Sequence, residues 1–322
     1  HKIAFPTIEE AESAAVVDPA AEFAAKNPPE LSEKTPDANA ANVADAQQAV
    51  ETLTKEAPTP WTRSAMTTED EKKYVDAVYR AVVTKSAKIL KESMVRYLNN
   101  LSDNQQARLK TWMKDNDLKP TDLRDLTQAD VKKILFNRRQ WDLEIAKVSK
   151  NAVLQAINKA ILIVDKEMGG HTLGMQDPRV KGLYGKSVAS LVQTNVTTQR
   201  RVRVALLAAD AKGTDLQAKI DRLTKVFEGN ERRARVVAIT ETGFVASGAR
   251  FEAMKAAGVK KHKWINVHDS HVRESHTDQP IGSGGQSVKV GTRFSNGLLH
   301  PHEFGAAPEE VILCRCGTLM VK

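Results

Sequence analysis

From Thr68 onward the apolar positions of the chain recur three and four residues apart. Val75, Val78, Tyr79, Val82, Ile89 and Leu90 share one stripe that runs to about Leu98, the spacing of one face of an α-helix. Thr68 with Glu71 three residues on reads as a capping box, and acids fill the first turn. A second helix is expected from Ser102, with Gln105 three residues on, to about Asp115, and Pro120 then interrupts. Thr127 reads as the cap of a long third helix. Its inner face carries Val131, Ile134, Leu135, Ile145, Val148, Ile157 and Ile161, and Gly169 and Gly170 end it. After a loop with Gly174, Pro178 and Gly182, a further helix is expected from Ser187 to Ala211, with Val188, Leu191, Val192, Val202 and Leu206 inward. Gly213 stops it. Thr214 and Gln217 read as another capping box, before a helix that turns Leu216, Ile220, Leu223 and Phe227 inward. Gly229 and Asn230 separate that helix from one running from Glu231 to about Ala257, ended by Gly258.

The texture changes after Gly258. Short apolar alternations and turn residues replace the helical period. HKWINV and QSVKV read as strands, GSGG and SNG as turns, and EEVILCRCGTLMV as the last strand. At the other end, the stretch DPAAEFAAKNPPELSEKTPDANAANVADAQ holds few large apolar residues. Such a segment cannot bury enough surface to offset its ordering entropy. It is expected to be a linker or an extended arm, ordered only on a partner. The pattern as a whole predicts an α+β protein: a mostly helical N-terminal and middle part with a small mixed α/β C-terminal domain. The expected divisions are an acidic Ala/Pro-rich arm over 1–60, a helical domain over 61–184, and a third unit over 185–322 with helices to 258 and a strand-bearing end over 259–322. No internal repeat is visible.

Charge sharpens that division. Residues 1–60 carry 11 acids and 4 bases, a net of −7 against +8 for the whole chain, so residues 61–322 carry +15. A basic body suits nucleic acid or an acidic protein surface, although no single segment concentrates the charge and a solvated Lys-rich helical surface has the same composition. No run of about 20 apolar residues exists, so no membrane span is expected, and no secretory signal is visible. The first residue is His, which leads us to expect a processed chain or a piece of a longer polypeptide.

Both cysteines of the chain, Cys314 and Cys316, stand one residue apart near its end, and six of the eight histidines follow residue 260: His262, His268, His271, His276, His300 and His302. A disulfide between Cys314 and Cys316 would close a strained ring, so both are expected as reduced thiols, in keeping with assembly in a cytoplasm. Sulfur with imidazole suits zinc in a tetrahedral shell. The candidate ligands are Cys314, Cys316 and His276, with a fourth from His300, His302 or His268. His300 stands first among those three. On a strand, positions two apart share a face, which would let both thiolates reach one ion. The other reading is that the thiols pack as small buried hydrophobes and His276 bonds a backbone carbonyl. A catalytic reading is a metal-dependent nuclease or hydrolase built on His268, Asp269, His271 and His276. A Cys–His nucleophile has only Arg315 nearby to activate it, and that side chain is expected on the opposite face. No H-E-x-x-H, phosphate-binding loop or nucleophile elbow is present, and IGSGG reads as a flexible turn.

Four stretches, taken in order, resemble the phage Mu F-like head morphogenesis family: VVAITETGFVASGARFEAMKAAGV, KWINVHDSHVRESH, VKVGTRFSNGLLHP and VILCRC. The second matches that family's W-x(4)-D-x-x-x-R-x-x-H segment at Trp264, Asp269, Arg273 and His276, and the fourth matches its terminal N-C-R-C. The resemblance spans about residues 185–322. Ile239 stands where the family usually has Arg, and Leu313 where it usually has Asn. Some members carry C-x-x-C in place of R-x-x-H, which also points to a metal at this corner. The resemblance implies a structural minor head protein of a virion rather than an enzyme, associated with the portal vertex and serving head assembly, DNA packaging or DNA delivery. It implies portal and capsid proteins as partners, multiple copies in a symmetric assembly, the phage head as location after assembly in the host cytoplasm, and no membrane in the assembled head. Packaged DNA would be touched only through nonspecific contacts. The domain is in some phages fused to the portal protein, so this chain could be the C-terminal part of such a fusion. Zinc is the only cofactor expected. In the small domain, Trp264 and Phe294 are expected to fill a core against the helix carrying Phe244, Val245 and Phe251. Asp269, Arg273 and Glu241 are expected to form a charged network beside them.

Overall fold

The structure is a computed structural model that describes residues 67–119, 126–170, 172–208, 216–266, 272–277 and 283–321. The arm expected over 1–60 and the Thr214 cap lie outside these. The first helix among the described residues, α1 (Thr68–Tyr79), is capped by Thr67, whose hydroxyl accepts from the Asp70 N–H while the Asp70 carboxylate accepts from the Thr67 N–H. The capping box thus sits one residue earlier than the expected Thr68–Glu71 pair. Glu71 is engaged elsewhere, 2.7 Å from Lys263. A five-residue π turn (Arg80–Thr84) leads into α2 (Lys85–Asp115). No new helix starts at Ser102, because Gln105 is fully buried and its amide serves a different element.

That element is the break in the expected third helix. Thr127 caps α3 (Gln128–Ile134), with Asp130 completing a capping box, and Asn137 then caps a separate helix, α4 (Arg138–Met168). Breaking a helix frees backbone groups that must find partners. Here α2 supplies them: Gln105 donates to the Ile134 carbonyl at 3.1 Å and accepts from the Phe136 N–H at 3.1 Å, and Arg108 donates to the carbonyls of Ile134 and Lys133. Gly169 ends α4 at φ +71°, a left-handed cap that glycine adopts without steric cost. Next come α5 (Pro178–Leu207), α6 (Leu216–Phe227) and α7 (Asn230–Ala256). Asp177 caps α5 and Pro178 occupies its first turn, so the helix begins well before the expected Ser187. The boundary expected between 184 and 185 falls inside α5.

Helices α2, α4 and α7 pack against one another, and α5 lies against both α4 and α7. The middle of α7 is buried on every side, from Thr240 to Ala246 and Gly248 to Phe251, as a helix central to a bundle must be. Its small residues allow close approach. A methyl on Gly248 would sit 2.7 Å from Leu183 of α5. After α7 come β1 (Lys261–Ile265), a 3₁₀ turn (Glu274–His276), β2 (Ser287–Lys289), a short helical turn α8 (Pro308–Val311) and β3 (Gly317–Val321). The three strands form one antiparallel sheet in the order β2-β1-β3, with Lys263 opposite Leu319 and Ser287. The fold is α+β and mostly helical, as the pattern predicts. The last strand is shorter than EEVILCRCGTLMV suggests, since Leu313 turns left-handed at φ +56° and strand pairing begins only at Gly317.

One apolar core runs from Tyr74 of α1 to Met320 of β3. The second, smaller cluster joins Trp264, Phe294, Leu298, Cys314 and Cys316. Strand β1 lies between the two, because alternate residues face opposite ways. Trp264 belongs to the small cluster and Ile265 to the large core, while Lys263 reaches Glu71 of α1. A buried ion pair fastens the sheet to the bundle. Arg250 of α7 spans both oxygens of Glu167 on α4 at 3.0 Å each and donates to the Thr318 carbonyl of β3 at 3.1 Å.

Candidate metal centre

The C-terminal end converges on His276 by a set of short local bonds. Asn266, just past β1, donates its amide to the His276 carbonyl at 2.9 Å, and the backbone of Ser283 and Gly284 bonds Ser275 and Thr277. The 3₁₀ turn is thereby tied to the sheet, and the His276 ring lies against Trp264 with centroids 4.9 Å apart. From the same turn Arg273 donates to the carbonyls of Glu309 and Ile312. Its planar guanidinium thus holds α8 and the residue after it. The carboxylate of Glu310 accepts from the Ser275 hydroxyl at 2.8 Å and meets His276 Nε2 at 2.9 Å. The chain then reverses through Leu313, and Cys314 and Cys316 enter the interior while Arg315 stays exposed.

These contacts assign the protons of His276. A carboxylate can only accept, so Nε2 carries a hydrogen, and in the neutral ring Nδ1 is the acceptor. Nδ1 faces both sulfurs: Cys316 Sγ is 3.5 Å and Cys314 Sγ 3.7 Å away. All three ligand atoms lie within 4.8 Å of one another, and all three residues are buried. The Cys316 backbone N–H donates to Cys314 Sγ at 3.4 Å. The two sulfurs act on each other: the hydrogen bond from Cys316 holds Cys314 well below the usual thiol range, while the same contact, with burial, pushes Cys316 well above it.

His302 completes the picture from the α7 side. It is 1% exposed, its backbone is left-handed at φ +58°, and neither ring nitrogen has a hydrogen-bond partner among the described residues. Its ring lies over Gly243 and close enough to Cys314 to favour the thiolate. The indole N–H of Trp264, also without a hydrogen-bond partner, sits beside Cys316.

The structure sorts the residues singled out by sequence. His276, Cys314 and Cys316 come together. The cysteines do so from an irregular stretch rather than from a strand, so the shared-face argument gave the right convergence by the wrong element. His300 is not among the converging atoms: its Nδ1 faces the Pro301 carbonyl at 2.8 Å and its ring packs 4.9 Å from Phe251. Trp264 and Phe294 are buried together at 5.1 Å, and the link from them to Phe251 of α7 runs through the ring of His262. Phe244 packs instead on Phe304, and Val245 joins the large core. The expected Glu241–Arg273 network does not form. Glu241 faces α5, where it accepts from Ser190 at 2.5 Å and Ser187 at 3.2 Å, and burial pushes its carboxyl up to about 7. Asp269, His268 and His271 lie outside the described residues. Glu310 and Ser275 were missed, although a Glu ahead of C-x-C and a Ser beside the motif histidine were both in plain view.

Residues 200–319 match the family model described as phage Mu protein F like protein. The resemblance carried by the four motifs is thus supported, over α6, α7 and the whole of the sheet-bearing end apart from its last residues. No curated protein and no solved structure matches the chain. No helix among the described residues is long and apolar enough to cross a membrane.

Proposed function

We propose that this chain is a structural minor head protein of a bacteriophage that works at the portal vertex during head assembly and DNA packaging or delivery. The observation that carries this reading is the family match over residues 200–319. The fold is compatible with it. The matched segment supplies α7, the helix at the centre of the bundle, so α2, α4 and α5 are left to cover it and to offer outer faces to head components. The net +15 of residues 61–322 favours contact with an acidic partner surface or with DNA phosphates.

The nuclease alternative gains nothing from the geometry, since the imidazole it needs at position 276 is bonded to Glu310 through one nitrogen and faces buried sulfur with the other. The test of the head-protein reading is composition. The chain should co-purify with portal protein when the two are co-expressed, and mass spectrometry of purified particles should find it at a small, fixed copy number. Its absence from particles, together with no portal binding, would refute the assignment. DNA contact is checked separately by titration at several salt concentrations. Phosphate contacts predict affinity that falls steeply with salt and ignores sequence.

A further inference from the structure

The geometry points to a closed, structural zinc site formed by Cys314 Sγ, Cys316 Sγ, His276 Nδ1 and, as fourth ligand, the imidazole of His302. The first argument is distance. Zinc holds sulfur at about 2.3 Å and imidazole nitrogen at about 2.0–2.1 Å, and a tetrahedral angle then sets the sulfur-to-nitrogen separation at about 3.6 Å. The two separations observed are 3.5 and 3.7 Å. Nδ1 has one lone pair and two sulfurs converge on it, so at most one S–H can bond it directly. An ion between the three atoms would engage all of them.

The second argument is independent of the first. His302 is buried, has both ring nitrogens without a hydrogen-bond partner among the described residues, and holds a left-handed backbone conformation that L side chains rarely adopt. An unpaired buried polar group costs about 1–3 kcal/mol, and a non-glycine left-handed residue costs about as much again. A metal would remove the first cost, and the second is the kind of strain that is kept where it positions a functional side chain. The ring lies beside Cys314, on the α7 side of the cluster. His300, two residues back, has its Nδ1 turned to its neighbour's carbonyl.

The third argument is the outer shell. A zinc-binding histidine usually gives its other N–H to a carboxylate, which fixes the ring and strengthens the donor. Glu310 does this at 2.9 Å and is itself held by Ser275 at 2.8 Å. Backbone N–H donation to Cys314 Sγ from Cys316 also suits a thiolate ligand. An S₂N₂ tetrahedron selects zinc over the harder divalent cations. All four proposed ligands are at most 5% exposed; three already lie within 4.8 Å of one another, and once the His302 imidazole joins them no position is open to water or substrate, which makes the site structural rather than catalytic. Its role is to close an end whose own core holds only Trp264, Phe294, Leu298 and the two cysteines, too little for independent stability without a staple.

The experiment uses the full chain purified after expression with added zinc. One zinc per chain is expected by elemental analysis. Cobalt put in its place should show tetrahedral ligand-field bands and thiolate-to-cobalt charge transfer. Zinc affinity, read by chelator competition, should weaken about 10- to 100-fold for Glu310→Gln, which removes the carboxylate behind His276. It should weaken at least as much for His302→Gln and stay unchanged for His300→Gln. Because Cys316→Ser can fail to fold, the wild-type chain provides a second readout: stripping the metal should lower the melting temperature, and adding zinc back should restore it. A chain that is folded and takes up neither zinc nor cobalt overturns the site. Wild-type affinity in His302→Gln, or a loss in His300→Gln equal to that in His302→Gln, overturns the assignment of the fourth ligand.

Discussion

Replacing Arg250 by Met removes the cation that faces the buried carboxylate of Glu167. Arg250 and Glu167 have side chains 7% and 2% exposed, and the guanidinium bonds both carboxylate oxygens at 3.0 Å. The variant leaves Glu167 uncompensated, which costs about 3–5 kcal/mol, and it strips the Thr318 carbonyl of its donor, which adds about 1 kcal/mol. Burial already raises the Glu167 carboxyl above its ordinary range, and the Arg250 charge opposes that rise. Without Arg250 the folded-state value climbs further. A group with a raised folded value binds its proton more readily folded than unfolded, so its contribution is lost as pH rises from the unfolded value through the folded one. The gap between wild type and Arg250→Met should therefore be widest at neutral pH and close as pH falls towards the ordinary carboxyl range. Urea unfolding at several pH values measures it. The double variant Glu167→Met/Arg250→Met should recover much of the loss, because a buried pair replaced by apolar side chains is often neutral. A loss below about 1 kcal/mol at pH 7 that does not change with pH, or a double variant whose cost is the sum of the two singles, would refute the reasoning.

Glu241→Gln should flatten part of the pH dependence. The carboxyl is pushed from 4.5 up to about 7, so by the same sign its contribution is lost as pH rises from about 4.5 through 7, by up to roughly 3 kcal/mol. Parallel stability curves for wild type and variant across that window would rule this out. Gly317→Ala places a methyl 2.7 Å from Val75 Cγ1 and should cost about 1–3 kcal/mol, most of it recovered when Val75→Ala makes room. Chemical denaturation of the single and double variants decides it, and an additive pair would contradict it. Gly243→Ala drives a methyl to 2.6 Å from His302 Nδ1, so it should weaken zinc binding in the chelator assay by at least about ten-fold. Unchanged affinity with an intact fold would argue against His302 as a ligand.

Local signals were legible and partnered ones were not. Gly169, Gly229 and Gly258 end or separate helices at positive φ, a property of one residue that sequence displays directly. The break after Ile134 was invisible because what permits it is Gln105, reaching across from another helix. For the same reason Gln105 looked like a helix start beside Ser102 when it was a buried bracket. Glu241 was assigned to Arg273 because both sit in the motif-bearing part, whereas the rotation of α7 turns Glu241 towards Ser187 and Ser190. The choice between His300 and His302 depends on the left-handed turn at 302, and composition carries no trace of that. Sequence narrowed the candidate ligands to a few residues, and the choice we propose among them rests on backbone geometry.

The family match begins at residue 200, yet the ties that fix the matched segment begin earlier in the chain. Arg250 is neutralised by Glu167, Lys263 is paired with Glu71, Gly317 is filled by Val75, and Glu241 is bonded by Ser187 and Ser190. Cut at residue 200, the segment would keep a buried guanidinium and a buried carboxyl without their partners, two of the costliest defects a small unit can carry. The candidate zinc site answers only part of that cost, since it closes the small cluster around Trp264 and leaves the face of α7 towards α4 and α5 uncovered. The helices before the match are therefore the other half of the same core, and variation in this protein outside the matched segment should be most constrained at Glu71, Val75, Glu167 and Leu183, where the matched half leans on them.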